Sequence, residues 1–318
     1  YAMDFYSGAL MAIDSVKKLG LSVNVSVFDT EGDKTKIDQL LVFNDFTHFH
    51  AVIGPFYSVP FNTLSEALKA DNVPVIAPLT NKNIELYANV FQTVPTEEYL
   101  RERMIDFMVN HAEGKHIIIV TDNKNAALIK KLQSRFPGAQ TVIPEKDRTV
   151  TLYQLSKRLS EEKENWVLLE TESEALIANV TSVLNSINKE KYRITLLTTY
   201  KADAFDSDNI SNVHLSNLAF HYPTIDKLSL VNSSFSKQYE AEFYTTPSRY
   251  AIRGFDITFD VLLRLAYSGD LYKAARNVGE TAYVENKFDY TRKFLGGYYN
   301  KAYYIVKYDN LEIKEVEQ

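Results

Sequence analysis

His48 and His50 stand two residues apart, a spacing that in a strand would put both imidazoles on one face, as metal ligands need. No carboxylate or third histidine stands at a helpful spacing, so the pair reads as a solvated turn between a helix and a strand. His111, His116, His214 and His221 are scattered singly and read as capping or surface residues. Carboxylates are plentiful, but the run Glu161-Glu162-Lys163-Glu164 has the composition of a solvated helix end, not of an acid/base pair. Gly32-Asp33-Lys34-Thr35 has the residue types of a P-loop without its order, which places Gly directly before Lys-Ser/Thr with another Gly upstream. There is no G-x-G-x-x-G after a strand to approach a pyrophosphate, and no G-x-S-x-G elbow to present a serine. With no cysteine, thiolate metal sites, cysteine nucleophiles and disulfides are all excluded. The residues nominate no catalytic group, no metal site and no cofactor, and an enzyme is not expected.

Polar and aromatic side chains do gather where strands of an open parallel sheet would end, the edge at which such sheets bind ligands. Gly54-Pro55-Phe56-Tyr57-Ser58 leads from a strand into a helix, so Ser58 and the N–H groups after it could meet a carboxylate at the helix's positive end. Simple N-capping by Ser58 explains the same residues equally well. Pro78-Leu79-Thr80-Asn81 repeats the arrangement after the next strand, with turn formation by Asn81 as the alternative. The equivalent positions later in the chain are Asp122-Asn123, Glu170-Thr171 and Tyr200-Lys201, each of which serves equally as a cap or a turn. The expected ligand-binding set is therefore Tyr57, Ser58, Leu79, Thr80, Asn81, Asp122, Asn123, Glu170, Thr171, Tyr200 and Lys201. Tyr298, Tyr299, Tyr303 and Tyr304 crowd the tail, where core and edge packing is a better reading than a ligand platform.

The elements that must position these residues alternate. Helical spacing of Phe5, Leu10, Ile13 and Val16 predicts a helix over 4–18, and Val23, Val25 and Val27 predict a strand over 22–29. A helix carrying Ile37, Leu40, Leu41 and Val42 follows, then strands at 51–55, 73–78 and 90–94 with a helix at 58–70. A second run starts with a helix from Thr96 to near Gly114 and continues with strands at 116–122, 139–144, 166–171, 194–199 and 213–220. Helices at 124–135, 151–162 and 173–188 separate them. Long helices at 229–244 and 250–268 and a strand at 303–308 complete the chain. Apolar, β-branched strands alternating with helices imply parallel sheets covered on both faces, and two runs imply two sheets. A doubly wound domain normally opens on a strand, whereas this chain opens on a helix, so its first strand is missing from view.

A chain of 318 residues, 45% hydrophobic and 24% charged, is long enough for two domains. The net charge of −6, the pI near 5.6 and the even spread of Lys and Arg leave no footprint for nucleic acid or anionic membrane. No run of about 18 apolar residues is present to span a bilayer. Tyr1 in place of an initiator methionine marks a processed or trimmed piece. The glycosylation sequons at Asn24, Asn179, Asn209 and Asn232 carry little weight, since the pattern is common by chance.

The order and spacing of DFYSGALMAID (4–14), AVIGPFYS (51–58), VPVIAPLTN (73–81) with FQTVPT (91–96), HIIIVTD (116–122) and GFDITFDVLLRLA (254–266) resemble the type I periplasmic binding proteins. That is the family of the leucine/isoleucine/valine-binding protein and of amino-acid receptor ectodomains. The resemblance implies an α/β fold of two doubly wound lobes with mainly parallel sheets and a hinge, the chain crossing three times. Lobe one would comprise 1–95 plus 222–288 and lobe two 96–221 plus 289–318. The family's opening strand is what this chain lacks.

Ser58 and Thr80 match the hydroxyls that hold an amino-acid ligand's carboxylate. The second lobe departs: Asp122-Asn123-Lys124-Asn125-Ala126 lacks the aromatic that usually follows the Asp, and Tyr200-Lys201 stands where an acid usually receives the ammonium. The tail GGYYNKAYYIVKY and the opening helix are also similar to binding-protein-like domains of Bacteroidetes cell-envelope proteins that carry LysM modules. The implied function is a non-catalytic periplasmic or otherwise extracytoplasmic protein. Its lobes would close over a small polar ligand, an amino acid or related compound, for uptake or sensing, with a membrane ABC transporter or cell-wall machinery as partner. The alternative is an envelope interaction or regulatory protein that keeps the fold without a small-molecule site.

Overall fold

A computed structural model describes residues 1–122, 124–144, 149–227 and 233–316. The chain forms two compact units, Tyr1–Thr96 with Ile225–Tyr303 and Glu97–Thr224 with Tyr304–Gln318. Unit 1 begins with α1 (Ala2–Lys18), α2 (Lys34–Phe43), β1 (Val52–Ile53), α3 (Ser58–Ala67), β2 (Val75–Ala77) and β3 (Val90–Gln92). Unit 2 follows with α4 (Glu97–His111), β4 (Lys115–Thr121), α5 (Ala126–Arg135), β5 (Gln140–Val142), α6 (Leu152–Ser156) and β6 (Glu164–Glu170). It continues through α7 (Glu174–Ser186), β7 (Ile194–Leu197), α8 (Asn212–Asn217) and β8 (His221–Thr224). Unit 1 resumes with α9 (Ser234–Phe243), α10 (Arg249–Ser268), α11 (Leu271–Asn277), β9 (Thr281–Ala282), β10 (Lys287–Phe288), β11 (Tyr290–Arg292) and β12 (Tyr298–Asn300). The chain ends in unit 2 with β13 (Tyr304–Asp309) and β14 (Glu312–Glu315).

The sheet of unit 1 has the order β1-β2-β3-β12-β11, parallel except for β11 at one edge. Its strands are apolar because both faces are covered. Ile76 and Phe91 pack with Phe5, Ile257 and Val261 on one side, while Val75, Ala77 and Val90 pack with Phe61 and Leu64 of α3 on the other. α1 and α10 touch through two glycines: a Cβ on Gly8 would lie 1.7 Å from the Ala251 carbonyl oxygen, and one on Gly254 would lie 2.1 Å from that of Phe5. The seven-stranded sheet of unit 2 has the order β14-β13-β8-β7-β6-β4-β5, with β5, β4, β6, β7 and β8 parallel and the two last strands antiparallel. Ile118, Val120, Val167, Leu169 and Leu196 point from it onto Leu176, Ile177, Val180 and Leu184 of α7.

Three expectations are corrected. Residues 289–303 belong to unit 1, not to the second lobe, because β12 pairs in parallel with β3 and brings β11 with it; the chain leaves unit 1 after Tyr303, and residues 222–224 close unit 2 instead. Residues 213–220 are not a strand. Ser211 caps α8 through the His214 N–H, Leu215 and Leu218 turn into the core at helical spacing, and the strand starts at His221. Residues 22–29 join no sheet despite their alternating valines: no backbone ladder reaches them among the described residues, and Val25 and Val27 are exposed. Unit 1 opens directly on α1, and the Ile53 N–H on the outer edge of β1 has no partner among the described residues. The start of the helix expected at 229–244 lies outside the described residues.

Candidate functional site

β1 and β2 are parallel neighbours, so their C-terminal loops come together at one edge of the unit 1 sheet. The cap position of α3 is taken by Tyr57, whose side chain makes no capping bond. Ser58 is therefore the first helical residue and not the cap. Its hydroxyl has no hydrogen-bond partner among the described residues, nor do the N–H groups of Ser58 and Val59. Two donors and a hydroxyl are left at the positive end of the helix. Tyr57 is half exposed and its hydroxyl bonds that of Tyr1. The Tyr1 ring lies 6.1 Å from Phe56 and 5.6 Å from Tyr250, giving this edge an aromatic wall. After β2, Leu79 packs into the core. Thr80 Oγ1 accepts the Lys82 N–H at 3.1 Å, and the Asn81 amide donates to the Pro95 carbonyl, so both shape their own loop.

A polar network absent from the sequence-based set lies at the ends of β2 and β3. Arg253 of α10, 8% exposed, donates to the Pro78 carbonyl at 2.7 Å and the Thr93 hydroxyl at 3.1 Å, with Asp226 at 3.6 Å. Asp256, one helical turn on, accepts the N–H groups of Val284, Glu285 and Asn286 at 3.0, 3.0 and 2.9 Å. Burial nevertheless pushes its carboxyl up to about 6. Glu285 is buried with one carboxyl oxygen unpartnered, and burial, with Asp226 and Asp256 nearby, pushes it up to about 8. Held near 8, Glu285 keeps its proton over the range in which a free carboxyl loses it.

In unit 2, β4, β6 and β7 are adjacent and end together. Asp122 and Thr171 meet there: the Thr171 hydroxyl donates to Asp122 at 2.9 Å, while Asp122 also accepts the Lys124 N–H at 3.2 Å. Asn123 lies outside the described residues. Lys201 pairs with Asp206 and stands 5.2 Å from the Tyr222 ring centroid, so its charge is already engaged. Glu170 is the buried group of this edge. One carboxylate oxygen accepts the Thr199 N–H at 2.6 Å; the other accepts the Thr199 hydroxyl at 2.8 Å and Arg101 Nη1 at 3.1 Å. Burial raises the Glu170 carboxyl above the usual range, and Arg101 with the Thr199 donors opposes the rise. Arg101 is gripped by Glu97 as well, at 2.8 Å, and lies 5.2 Å from the Tyr200 ring centroid. Burial raises the Tyr200 hydroxyl also. Sequence reading found Glu170 and Tyr200 by their strand-end positions but missed Arg101 and Thr199. The i,i+4 pair Glu97/Arg101 is visible in the sequence, whereas the contact across 69 residues to Glu170 has no local signal.

No family model matches the sequence, and no curated protein matches it. Solved structures do. A putative branched-chain amino acid ABC transporter protein from Rhodospirillum rubrum is 13% identical, with a TM-score of 0.65 over 99% of this chain and 95% of that one. An ABC transporter substrate-binding protein from Desulfitobacterium hafniense, in complex with Leu, is 15% identical, with a TM-score of 0.56 over 98% of this chain and 95% of that one. This chain has the type I periplasmic binding protein fold. LpoA from Haemophilus influenzae is similar too, at 13% identity and a TM-score of 0.58, over 99% of this chain and 56% of LpoA. The likeness covers nearly the whole length of the two ABC transporter proteins but only about half of LpoA. Among the described residues no helix is long and apolar enough to cross a membrane.

Proposed function

We propose that this protein is a non-catalytic, extracytoplasmic binding protein that takes a small polar ligand at the strand ends of unit 1, for uptake or sensing. The observation that carries the reading is the uncommitted donor set at the start of α3. The Ser58 hydroxyl and the N–H groups of Ser58 and Val59 have no intramolecular partner among the described residues, beside an aromatic wall of Tyr1, Phe56 and Tyr250. Donors at a helix N-terminus suit a carboxylate or another anionic oxygen, and the aromatic faces suit an apolar body. The full-length likeness to substrate-binding proteins supports the same reading. It makes a membrane transporter the natural partner.

A second reading, an envelope regulator that keeps the fold without a small-molecule site, is favoured by the state of Glu170, whose charge is already met within the chain. The resemblance of the tail GGYYNKAYYIVKY to LysM-bearing envelope domains, read from the sequence, belongs with it. Ser58→Ala separates the two. For a compound that binds the wild type, the ligand reading expects at least about tenfold weaker binding, equivalent to roughly 1.4 kcal/mol, with unchanged unfolding. Isothermal titration checks it, and equal affinity in the variant would remove Ser58 from the site.

A further inference from the structure

A buried carboxylate at the strand ends of a sheet is a ready partner for a cationic group. In unit 2 that carboxylate is Glu170, its side chain 4% exposed, and the cation that meets it comes from the protein itself. Arg101 Nη1 is 3.1 Å from Glu170 and 2.6 Å from the Thr199 hydroxyl, which in turn donates to Glu170. Glu97, one helical turn before Arg101 on α4, holds the guanidinium through Nε and Nη2, both at 2.8 Å. Arg101 is the more accessible member of the pair, its side chain 15% exposed against 4% for Glu170. A cation approaching Glu170 would meet a like charge and would have to displace a group fixed by Glu97, Glu170 and Thr199 together.

We propose that Arg101 is the built-in occupant of a cation site in unit 2, and that Glu170 and Thr199 hold a small guanidinium in its place once the side chain is truncated. The site stands independently of the ligand-binding reading above.

The test is thermal unfolding of Arg101→Ala, followed by the fluorescence of Trp166, the single tryptophan, which stands in β6 four residues before Glu170. Removing the guanidinium leaves Glu170 buried beside a space of its shape, and a small cation should refill it. Methylguanidinium at about 10 mM is expected to raise the variant's melting temperature by about 3–5 °C relative to equimolar NaCl, and to leave the wild type unmoved. The double variant Arg101→Ala/Glu170→Gln, with no carboxylate to neutralise, should fold and lose the response. Where Arg101→Ala alone is not recovered folded, refolding with methylguanidinium replaces the melt, and recovery that depends on the cation counts as support. A variant indifferent to methylguanidinium, or not recovered even with it, overturns the site. If the ligand-binding reading is what fails, wild type responds to no compound while rescue of Arg101→Ala persists.

Discussion

Glu285→Gln will flatten the pH dependence of the stability of unit 1. Glu285 sits in the turn between β9 and β10 with Asp226 and Asp256 as acidic neighbours and Arg253 as the cation among them. Its carboxyl is pushed from 4.5 up to about 8, so the folded chain keeps a proton that the unfolded chain releases. Stability therefore falls as pH rises from about 4.5 to about 8 and levels off above, by roughly 5 kcal/mol in total. Asp256, pushed up to about 6, adds a smaller fall in the same direction between about pH 4 and 6. Gln keeps the shape of the neutral acid and cannot ionise. The variant should match the wild type near pH 5 and exceed it by several kcal/mol at pH 9. Urea unfolding at a series of pH values, read by circular dichroism, gives the comparison, and parallel profiles for the two proteins would contradict the buried neutral acid.

The second large effect belongs to Arg264, which is 1% exposed at the centre of unit 1. Its Nε donates to both oxygens of Asp260 at 2.9 Å, and Nη2 donates to the Gly279 and Phe288 carbonyls at 3.1 and 3.0 Å. Asp260 accepts the Thr281 and Tyr283 hydroxyls as well, so one ion pair ties α10 to the β9–β10 ladder. Arg264→Ala leaves Asp260 charged and unpaired in the core and should cost about 3–5 kcal/mol. Arg264→Met with Asp260→Leu, which removes both charges at similar volume, should recover most of that loss. Equal losses in the single and double variants would show that packing, not the unpaired charge, sets the cost.

How much of this was legible depends on whether the governing interaction is local. The runs HIIIVTD, VPVIAP and WVLLET announce β4, β2 and β6 because both faces of those strands are buried. Residues 22–29 show the limit of periodicity: alternating valines describe a segment able to join a sheet, and no neighbour among the described residues offers it a ladder. Residues 213–220 show another, since Val213, Leu215 and Leu218 fit a short helix as well as a strand, and the Ser211 cap decides. The residues that matter most at the strand ends, Arg101, Arg253, Asp256 and Glu285, lie on helices and in a turn and find their partners far along the chain. Nothing in their own neighbourhoods announces those distant partners. Ser58 was legible as a strand-to-helix residue, and only the backbone distinguishes a first helical residue with a free hydroxyl from a cap.

The central claim is that the native protein binds a small polar ligand. A thermal-shift screen of the purified chain against carboxylates, amino acids, small peptides, nucleosides, sugars and muropeptides tests it most directly, because a compound that binds only the folded state must raise its apparent stability. The account predicts a saturable, concentration-dependent rise with a carboxylate or other anionic compound that is abolished in Ser58→Ala with Thr80→Ala. A cooperative melt that no compound moves would contradict it and leave the envelope-regulator reading in its place.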